Sequence, residues 1–167
     1  MPTPYPVRRL RPADLDRICE IEHASFGKDA YDRNLFAVFS HECGDLFLVV
    51  EHHRAVCGYM ITCIRGEQAE LISVAVDPAA RRSGAASALI ESTFRRLARR
   101  GVVRIRLMVK VTNRKARAFY EKYGFDKVRI VRGYYEDGAD GLLMARSRRF
   151  RSGHRRPGRT PTPDRLP

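Results

Sequence analysis

The sequence of 167 residues contains no apolar run that approaches the ~20 residues needed by a membrane-spanning helix. The longest candidate is the short run from Leu46 to Val50. A positively charged start followed by an apolar stretch is also missing from the N-terminus, so no secretory signal is expected. We therefore expect a soluble protein with a cytoplasmic location and no membrane partner.

Cysteine is scarce, with four residues, and these show no CxxC pair and no nearby histidine at zinc-finger spacing. The histidines do not form a ligand pattern either, so no metal site is predicted. Because a free cysteine behaves as a small hydrophobic residue, we expect buried or half-buried free thiols. The four are Cys19, Cys43, Cys57 and Cys63.

Acidic residues are few, with 19 Asp and Glu against 32 Lys and Arg, and the formal net charge is +13. From Arg146 onward, eight arginines and one aspartate give +7, which leaves +6 for the first 145 residues. The composition predicts one domain, residues 1–146, followed by a disordered basic tail, residues 147–167. Such a tail either binds RNA or the ribosome through phosphates, without sequence preference, or is simply solvated.

The apolar periodicity predicts the order helix, helix, three strands, helix, strand, helix, two strands, which is a mixed α/β layer architecture. The first three strands are typical of an antiparallel meander. The helices are expected from residue 12 onward, at 31–40, at 86–97 and at 113–123, and the strands at 46–50, 55–64, 70–76, 103–109, 127–132 and 142–145.

The most informative segment joins the strand that ends at Val76 to the long helix that follows. Small residues at 84–86 let another group approach the backbone, and the first N–H groups of a helix have no intrahelical partner. The helix dipole favours an anion there, and Arg81 and Arg82 add positive charge. The pattern indicates a phosphate or pyrophosphate site, but an ordinary strand-to-helix turn uses the same residues. It is neither a dinucleotide fingerprint nor a P-loop.

Three motifs in this sequence resemble those of one family. Arg81-Arg82-Ser83-Gly84-Ala85-Ala86, after Val74-Ala75-Val76-Asp77-Pro78, resembles the R/Q-x-x-G-x-G/A acetyl-coenzyme A signature of the GNAT N-acetyltransferase superfamily. The run from Asn113 to Phe125 resembles that family's asparagine-to-YEKxGF segment. The run from Arg132 to Met144 resembles the YYxDGxDAxxM ending of the branch that acetylates protein N-termini, which includes the bacterial ribosomal-protein alanine acetyltransferases. The resemblance covers about residues 7 to 146.

The resemblance implies the GNAT fold, a mixed and mostly antiparallel sheet flanked by helices, whose central strands splay apart to hold acetyl-CoA as acetyl donor. It also assigns residues to each part of that donor. These are the backbone of Val74, Ala75 and Val76 for the pantetheine arm, Arg82, Ser83, Gly84, Ala85, Ala86 and Ser87 for the pyrophosphate, with charge from Arg81, and Asn113 for a distal contact.

Acetyl transfer from a thioester to an amine requires a deprotonated amine, a polarised carbonyl and a proton for the departing thiolate. Tyr120 stands at the position of the family's acid, and a phenol with an ordinary pKa of ~10 suits a thiolate. On periodicity alone, Tyr120 would instead be a core aromatic residue of an amphipathic helix.

The base departs from the family pattern. Where the ribosomal-protein branch has a glutamate, this chain has Met108, which cannot accept a proton. Glu70 is the expected replacement, because Ala69-Glu70-Leu71-Ile72 resembles the register in which the histone-acetylating branch places its catalytic glutamate. It would act directly or through water. The alternative is an exposed carboxylate at the start of a strand.

Tyr31, Tyr134 and Tyr135 are the expected lining of the entrance for the amine substrate, although Tyr31 and one of the paired tyrosines are also explained by packing. The favoured function is acetyl-CoA-dependent acetylation of a protein N-terminal α-amine, for example of a ribosomal protein, by direct attack on the thioester. Met108 leaves open a lysine or a small-molecule amine as acceptor. A further alternative is an RNA- or ribosome-binding module with secondary catalysis.

Overall fold

The computed structural model describes residues 5–148, so residues 149–167, which make up most of the predicted basic tail, lie outside the described residues. No helix within residues 5–148 combines the length and apolar character needed to cross a bilayer. The strands are β1 (Val7–Arg9), β2 (Phe47–His52), β3 (Ala55–Arg65), β4 (Gln68–Val76), β5 (Arg104–Lys110), β6 (Asp126–Val131) and β7 (Gly141–Ser147), and the helices are α1 (Leu15–Phe26), α2 (Arg33–Cys43), α3 (Ala85–Arg99) and α4 (Arg114–Lys122).

The strands form one seven-stranded sheet in the order β1-β2-β3-β4-β5-β7-β6. Among the strands of residues 5–148, only β4 and β5 are parallel neighbours; the other pairs are antiparallel. The predicted mixed α/β fold, with its antiparallel β2-β3-β4 meander, is confirmed. The sequence prediction missed β1, because three residues with one apolar side chain show no usable alternation.

The sheet opens at its only parallel pair. β4 and β5 are paired only over Gln68–Leu71 and Arg104–Leu107. Beyond Leu71, β4 continues to Val76 without a paired strand on that side among the described residues, whereas β5 remains paired with β7 along its whole length. The two strands therefore separate. We call the resulting space the central gap; its edges are residues 72–76 of β4 and 108–110 of β5.

A β-bulge lies where β4 enters the central gap. Ile61 of β3 pairs with Ser73 and the next residue, Thr62, pairs with Leu71, so Ile72 is an extra residue in β4. A bulge bends its strand and re-aims the side chains that follow. Leu71 packs into the core under α3 and α4, whereas Ala75 packs into the core under α1 and α2. By alternation, Ser73 faces the same side as Ala75.

Each face of the sheet carries its own apolar core. One core contains Leu89 and Leu97 of α3, and the other contains Ile18 and Ile21 of α1 together with Phe36 of α2; all five are at most 1% exposed. Both α1 and α3 follow the helical spacing that the sequence predicts. The central gap thus lies in a sheet that is covered on both faces by helices with well-packed apolar cores.

The cysteines differ from the prediction in one pair. Cys43 at the end of α2 and Cys63 in β3 form a disulfide, with a Cα–Cα distance of 4.6 Å. Cys57 and Cys19 are free thiols, one buried and one half-buried, as expected. The prediction of free thiols is therefore wrong for Cys43 and Cys63. Their 20-residue separation contains no local signal, because α2 brings them together only by packing against β3.

Candidate functional site

The turn between β4 and α3 presents backbone N–H groups that no side chain caps. Gly84 is the N-cap residue of α3 and makes no side-chain cap. The first backbone hydrogen bond of the helix runs from the Ala88 N–H to the Gly84 carbonyl (2.9 Å). The N–H groups of residues 85–87 precede that bond, so they are free to donate outward. Together with the helix dipole they favour an anion at this end of α3.

The backbone of this turn depends on a glycine. Gly84 has a φ of +97°, which residues with a side chain rarely adopt, and a Cβ there would meet only the Tyr5 ring, at 3.9 Å. Arg81 closes the turn by donating from Nε to the Val76 carbonyl (3.2 Å), and the Ser83 hydroxyl donates to the Ala80 carbonyl. The structure therefore gathers the predicted pyrophosphate residues at the start of α3, directly after the β4 edge of the central gap.

Asn113 marks the start of α4, as predicted. Its side-chain oxygen accepts a hydrogen bond from the Ala116 N–H (3.1 Å) and caps the helix. Its amide NH2 group keeps two donors for another partner. A distal contact with the donor stays a prediction.

Tyr120 lies on the buried side of α4. Its ring packs edge-on against Phe125, with centroids 5.7 Å apart. Burial, and to a smaller extent Tyr135, raises the pKa of Tyr120 above its ordinary value, so the phenol keeps its proton at neutral pH. The residue is thus both a core aromatic and a protonated donor, and its role as the acid stays a prediction.

The three predicted entrance tyrosines come from two distant loops. Tyr31 precedes α2, whereas Tyr134 and Tyr135 lie between β6 and β7 and pack edge to face, with centroids 5.0 Å apart. Burial raises the pKa of Tyr31, and the charges of Glu22 and Tyr134 raise it further. Burial, followed by Tyr134, Tyr31 and Asp137, raises the pKa of Tyr135 to about 12. Tyr134 and Tyr135 are in ring contact, and Tyr31 lies within electrostatic range of both; we call these three residues the tyrosine cluster.

The tyrosine cluster adjoins the β5 edge of the central gap. A Cβ at Gly141 would lie 2.8 Å from Met108 Sδ and 3.1 Å from Tyr134 Cβ, so these two side chains meet over that glycine. Lys110 holds the β6–β7 loop by an ion pair with Asp137 (2.6 Å) and lies over the Tyr135 ring, 5.2 Å from its centroid. Tyr134 and Tyr135 are therefore positioned by the end of β5.

Glu70, the predicted base, lies in the closed part of the sheet. It is on β4 directly opposite Arg106 of β5, and the guanidinium and carboxylate are 3.7 Å apart. Its side chain is 37% exposed. Met108 follows Arg106 on the same face of β5, at the start of the gap. Glu70 thus lies just before the point where β4 and β5 separate into the central gap. Its catalytic role stays a prediction.

A second carboxylate, which the sequence analysis missed, lies on the same side of the sheet. Glu22 of α1 is 1% exposed. It accepts hydrogen bonds from the Tyr31 N–H (2.9 Å) and from the Tyr59 hydroxyl, and the latter lies 3.1 Å from Ser73 Oγ. Burial raises the pKa of Glu22. A signal was present, because Glu22 lies four residues after Ile18, on the apolar stripe of its helix.

Potential metal ligands are not clustered in the part of the chain that the structure describes: within residues 5–148, no three His, Cys, Asp or Glu side chains form a group that would hold a metal ion.

Comparison with known proteins identifies similar sequences and folds. A family model described as Acetyltransferase (GNAT) family matches residues 15–125. An N-alpha-acetyltransferase of Saccharolobus solfataricus is 31% identical over 155 residues, covering 85% of this chain and 92% of the relative. The structure resembles Ard1 from Thermoplasma volcanium, with a TM-score of 0.82 and 26% identity over 87% of this chain and 98% of that one. It also resembles the ribosomal-protein-S18-alanine N-acetyltransferase from Escherichia coli, with a TM-score of 0.78 and 27% identity over 91% and 99% of the two chains.

Proposed function

The chain belongs to the acetyltransferase (GNAT) family, and we propose that it transfers the acetyl group of acetyl-CoA to the α-amine of a protein N-terminus. The observation that carries this proposal is the central gap between β4 and β5. An uncapped helix start lies at one of its ends, and the tyrosine cluster lies beside its β5 edge. The first feature suits a phosphate-bearing donor and the second suits a slender amine acceptor.

The donor half of the proposal rests on unpaired backbone groups. The free edge of Val74, Ala75 and Val76 offers hydrogen bonds to the amides of a pantetheine arm, as a further strand would. The N–H groups of residues 85–87, with charge from Arg81 and Arg82, receive the pyrophosphate. Asn113 adds a contact farther along the donor.

In the proposed reaction the amine attacks the thioester directly. Starting from the ammonium, the nitrogen loses one proton before the attack and a second one as the amide forms, and the departing sulfur needs one proton. Tyr120 supplies the proton for the sulfur, since burial keeps its phenol protonated, and the second proton from the nitrogen restores the phenol. Two carboxylates compete to receive the first. Glu70 is the one that the sequence assigns, and Glu22 is the one that is connected to the gap by hydrogen bonds.

The acceptor half of the proposal rests on the tyrosine cluster and on the names of relatives. Tyr31, Tyr134 and Tyr135 form the expected entrance. Burial raises the pKa of Tyr31 and of Tyr135, so these two phenols stay neutral at pH 7. A neutral aromatic entrance suits a single extended chain end. One similar protein is named an N-alpha-acetyltransferase, and another is named for the alanine of ribosomal protein S18. A ribosomal protein is therefore the acceptor we would test first.

Matched peptides test the choice of acceptor. One peptide begins with a free alanine and has its lysine blocked; the other has a blocked N-terminus and a free lysine. With acetyl-CoA, mass spectrometry should find acetylation of the first peptide at its α-amine and none of the second. Acetylation of the lysine peptide alone would replace the N-terminal acceptor by a side-chain amine, the alternative that Met108 leaves open.

The location and the tail are separate parts of the proposal. A cytoplasmic location follows from a ribosomal acceptor, although the Cys43–Cys63 disulfide is unusual for that compartment. The residues beyond 148 contain six arginines and would add salt-dependent contact with ribosomal RNA. Removal of residues 149–167 should weaken sedimentation with ribosomes and leave acetylation of a short peptide unchanged. Equal sedimentation of both proteins would rule out the tail as an RNA contact.

A further inference from the structure

We propose that Ser73, Tyr59 and Glu22 form a proton relay that carries the proton of the acceptor amine out of the central gap to a buried carboxylate. The inference rests on the proposed function, to which it adds the proton acceptor that Met108 cannot provide. Its starting point is a continuous chain of three side chains from three elements, β4, β3 and α1.

The direction of the relay follows from the number of hydrogens. Tyr59 has a single hydroxyl hydrogen, which it donates to Oε2 of Glu22. The contact of 3.1 Å between Ser73 and Tyr59 must therefore have the Ser73 hydroxyl as donor. Every hydrogen points toward Glu22. The lone pairs of Ser73 Oγ remain available to accept a proton from the gap side.

Burial leaves only one end of the relay open. Glu22 is 1% exposed and Tyr59 is fully buried, whereas Ser73 is half-buried. Ser73 follows the bulge at Ile72, in the part of β4 that has lost its pairing to β5. An amine, or a water that it contacts, can therefore reach Ser73 but neither of the groups behind it.

Each proton that moves along the relay has a donor and an acceptor, and no further reactant is needed. The ammonium gives one proton to Ser73 Oγ, and Ser73 passes its own hydroxyl proton to the Tyr59 oxygen. Tyr59 passes its hydroxyl proton to Glu22, which becomes a neutral carboxylic acid. Ser73 and Tyr59 each end with one proton, as they began. The amine nitrogen gains the free electron pair with which it attacks the thioester carbonyl.

The surroundings of Glu22 favour proton uptake. Burial raises the pKa of Glu22, while the Tyr31 N–H, the Tyr59 hydroxyl and His23 offset part of that increase. No Lys or Arg within residues 5–148 forms an ion pair with this carboxylate. Beyond Tyr31, the next titratable group is the phenol of Tyr134. Glu70 differs, because Arg106 faces it across the sheet. A proton on Glu22 thus removes an uncompensated buried charge, which is favourable.

The experiment removes one hydroxyl at a time and follows kcat against pH. Tyr59→Phe and Ser73→Ala each interrupt the relay while Glu22 stays in place. Thr62→Val is the matched control, because Thr62 Oγ1 is a buried hydroxyl of the same strand as Tyr59 without a hydrogen-bond partner within residues 5–148. Ser73→Thr restores a hydroxyl. Circular dichroism and calorimetric titration with acetyl-CoA establish that each variant is folded and binds the donor.

The relay predicts a loss that depends on pH. The wild-type protein deprotonates the bound amine through Glu22, so its kcat should be nearly constant between pH 7 and 9. In Tyr59→Phe and Ser73→Ala the bound amine has no proton acceptor, so only the fraction that is already neutral in the complex can react, with an ordinary amine pKa of about 8. We therefore expect kcat to fall about tenfold for each pH unit below that value and to approach the wild-type value above pH 9. Thr62→Val should behave as the wild type, and Ser73→Thr, which keeps a hydroxyl, should restore the flat pH dependence that Ser73→Ala loses.

The other outcomes overturn the relay, the proposed acceptor or the proposed function. Unchanged kcat in both interrupting variants, or an equal loss at every pH, would reduce the three residues to a structural role. A loss of the same pH dependence in Glu70→Gln, with none in Tyr59→Phe, would assign the proton to Glu70. If the wild-type protein acetylates only the lysine peptide, the N-terminal acceptor fails while the relay is measured on that peptide. If it acetylates neither peptide, the proposed function fails and the relay with it.

Discussion

The donor half and the acceptor half of the candidate site are built in different ways. The donor half is nearly continuous in sequence, because the β4 edge, the turn and the start of α3 lie within residues 72–87. The acceptor half takes Tyr31 and Glu22 from the first two helices and their connection, Met108 from β5 and the paired tyrosines from the β6–β7 loop. One half is therefore specified by local backbone geometry and the other by tertiary packing. A substitution in each should affect a different quantity.

The largest effect is expected at Gly84, in the donor half. Gly84→Glu places a side chain at a φ of +97° and a negative charge beside the free N–H groups of α3. Backbone strain and charge repulsion together should weaken acetyl-CoA binding about 1,000-fold. Calorimetric titration measures it.

A matched control at Gly101 separates the local effect at the donor site from the general cost of backbone strain and an added charge. Gly101 follows the other end of α3 and has a φ of +70°, with open space around it. Gly101→Glu therefore introduces a similar strain far from the anion site, and acetyl-CoA affinity should stay within about threefold. Normal donor binding by Gly84→Glu would contradict the anion site at α3.

The next largest effect is expected at Tyr120, where the two halves meet. Tyr120→Phe keeps the ring that packs on Phe125 and removes the proton donor. Turnover should fall about 100-fold while acetyl-CoA affinity is kept. Because burial raises the pKa of Tyr120, the wild-type kcat should show no alkaline decline up to about pH 10. Tyr123→Phe, at the half-buried C-cap of the same helix, is the control; similar turnover of both variants would remove Tyr120 as the acid.

The same contrast explains what the sequence could and could not predict. The turn at Gly84, the cap at Asn113 and the order of the elements depend on neighbours within a few residues, and the structure agrees with them. The hydrogen bond of Glu22 with Tyr59 spans 37 residues, and the Cys43–Cys63 disulfide spans 20. Contacts of that kind arise from packing of helices on the sheet. The local hydrophobic periodicity of the sequence therefore does not predict these contacts.

The disulfide that links α2 to β3 distinguishes the two halves in a third way, because its loss should lower the stability of the protein. A closed loop of 20 residues restricts the unfolded chain and contributes about 3 kcal/mol to the free energy of unfolding. Replacing Cys43 and Cys63 together by serine should lower Tm by about 10 °C. Acetyl-CoA affinity should not change, because the donor half lies elsewhere. Cys19→Ser, at a half-buried free thiol, is the control for loss of a sulfur.

A Tm decrease no larger than that of Cys19→Ser would show that packing alone holds α2 in place. A parallel loss of donor affinity would show instead that the two halves are coupled through the sheet, which the separate cores on its two faces argue against.

The smallest effect is expected at Asp14, which fixes the start of α1 and so the helix that carries Glu22. Asp14 accepts two hydrogen bonds from the Arg8 guanidinium of β1 (2.8 and 2.9 Å) and one from the Arg11 N–H (2.7 Å). Arg8 above all holds the pKa of Asp14 below its ordinary value. The stabilisation is therefore complete above the unfolded pKa of ~3.9 and is lost as the pH falls through the lower folded value.

Asp14→Asn should lower the free energy of unfolding by about 1 kcal/mol at neutral pH, as measured by urea denaturation. The difference from the wild-type protein should shrink at acid pH, because the wild-type carboxyl is then protonated as well. Asp16→Asn removes an exposed carboxylate two residues away and should change stability by less than about 0.5 kcal/mol at either pH. A difference for Asp14→Asn that persists unchanged into acid would mean that the side chain acts by its shape and neutral hydrogen bonds, and the ion pair with Arg8 would then contribute nothing to anchoring the acceptor half.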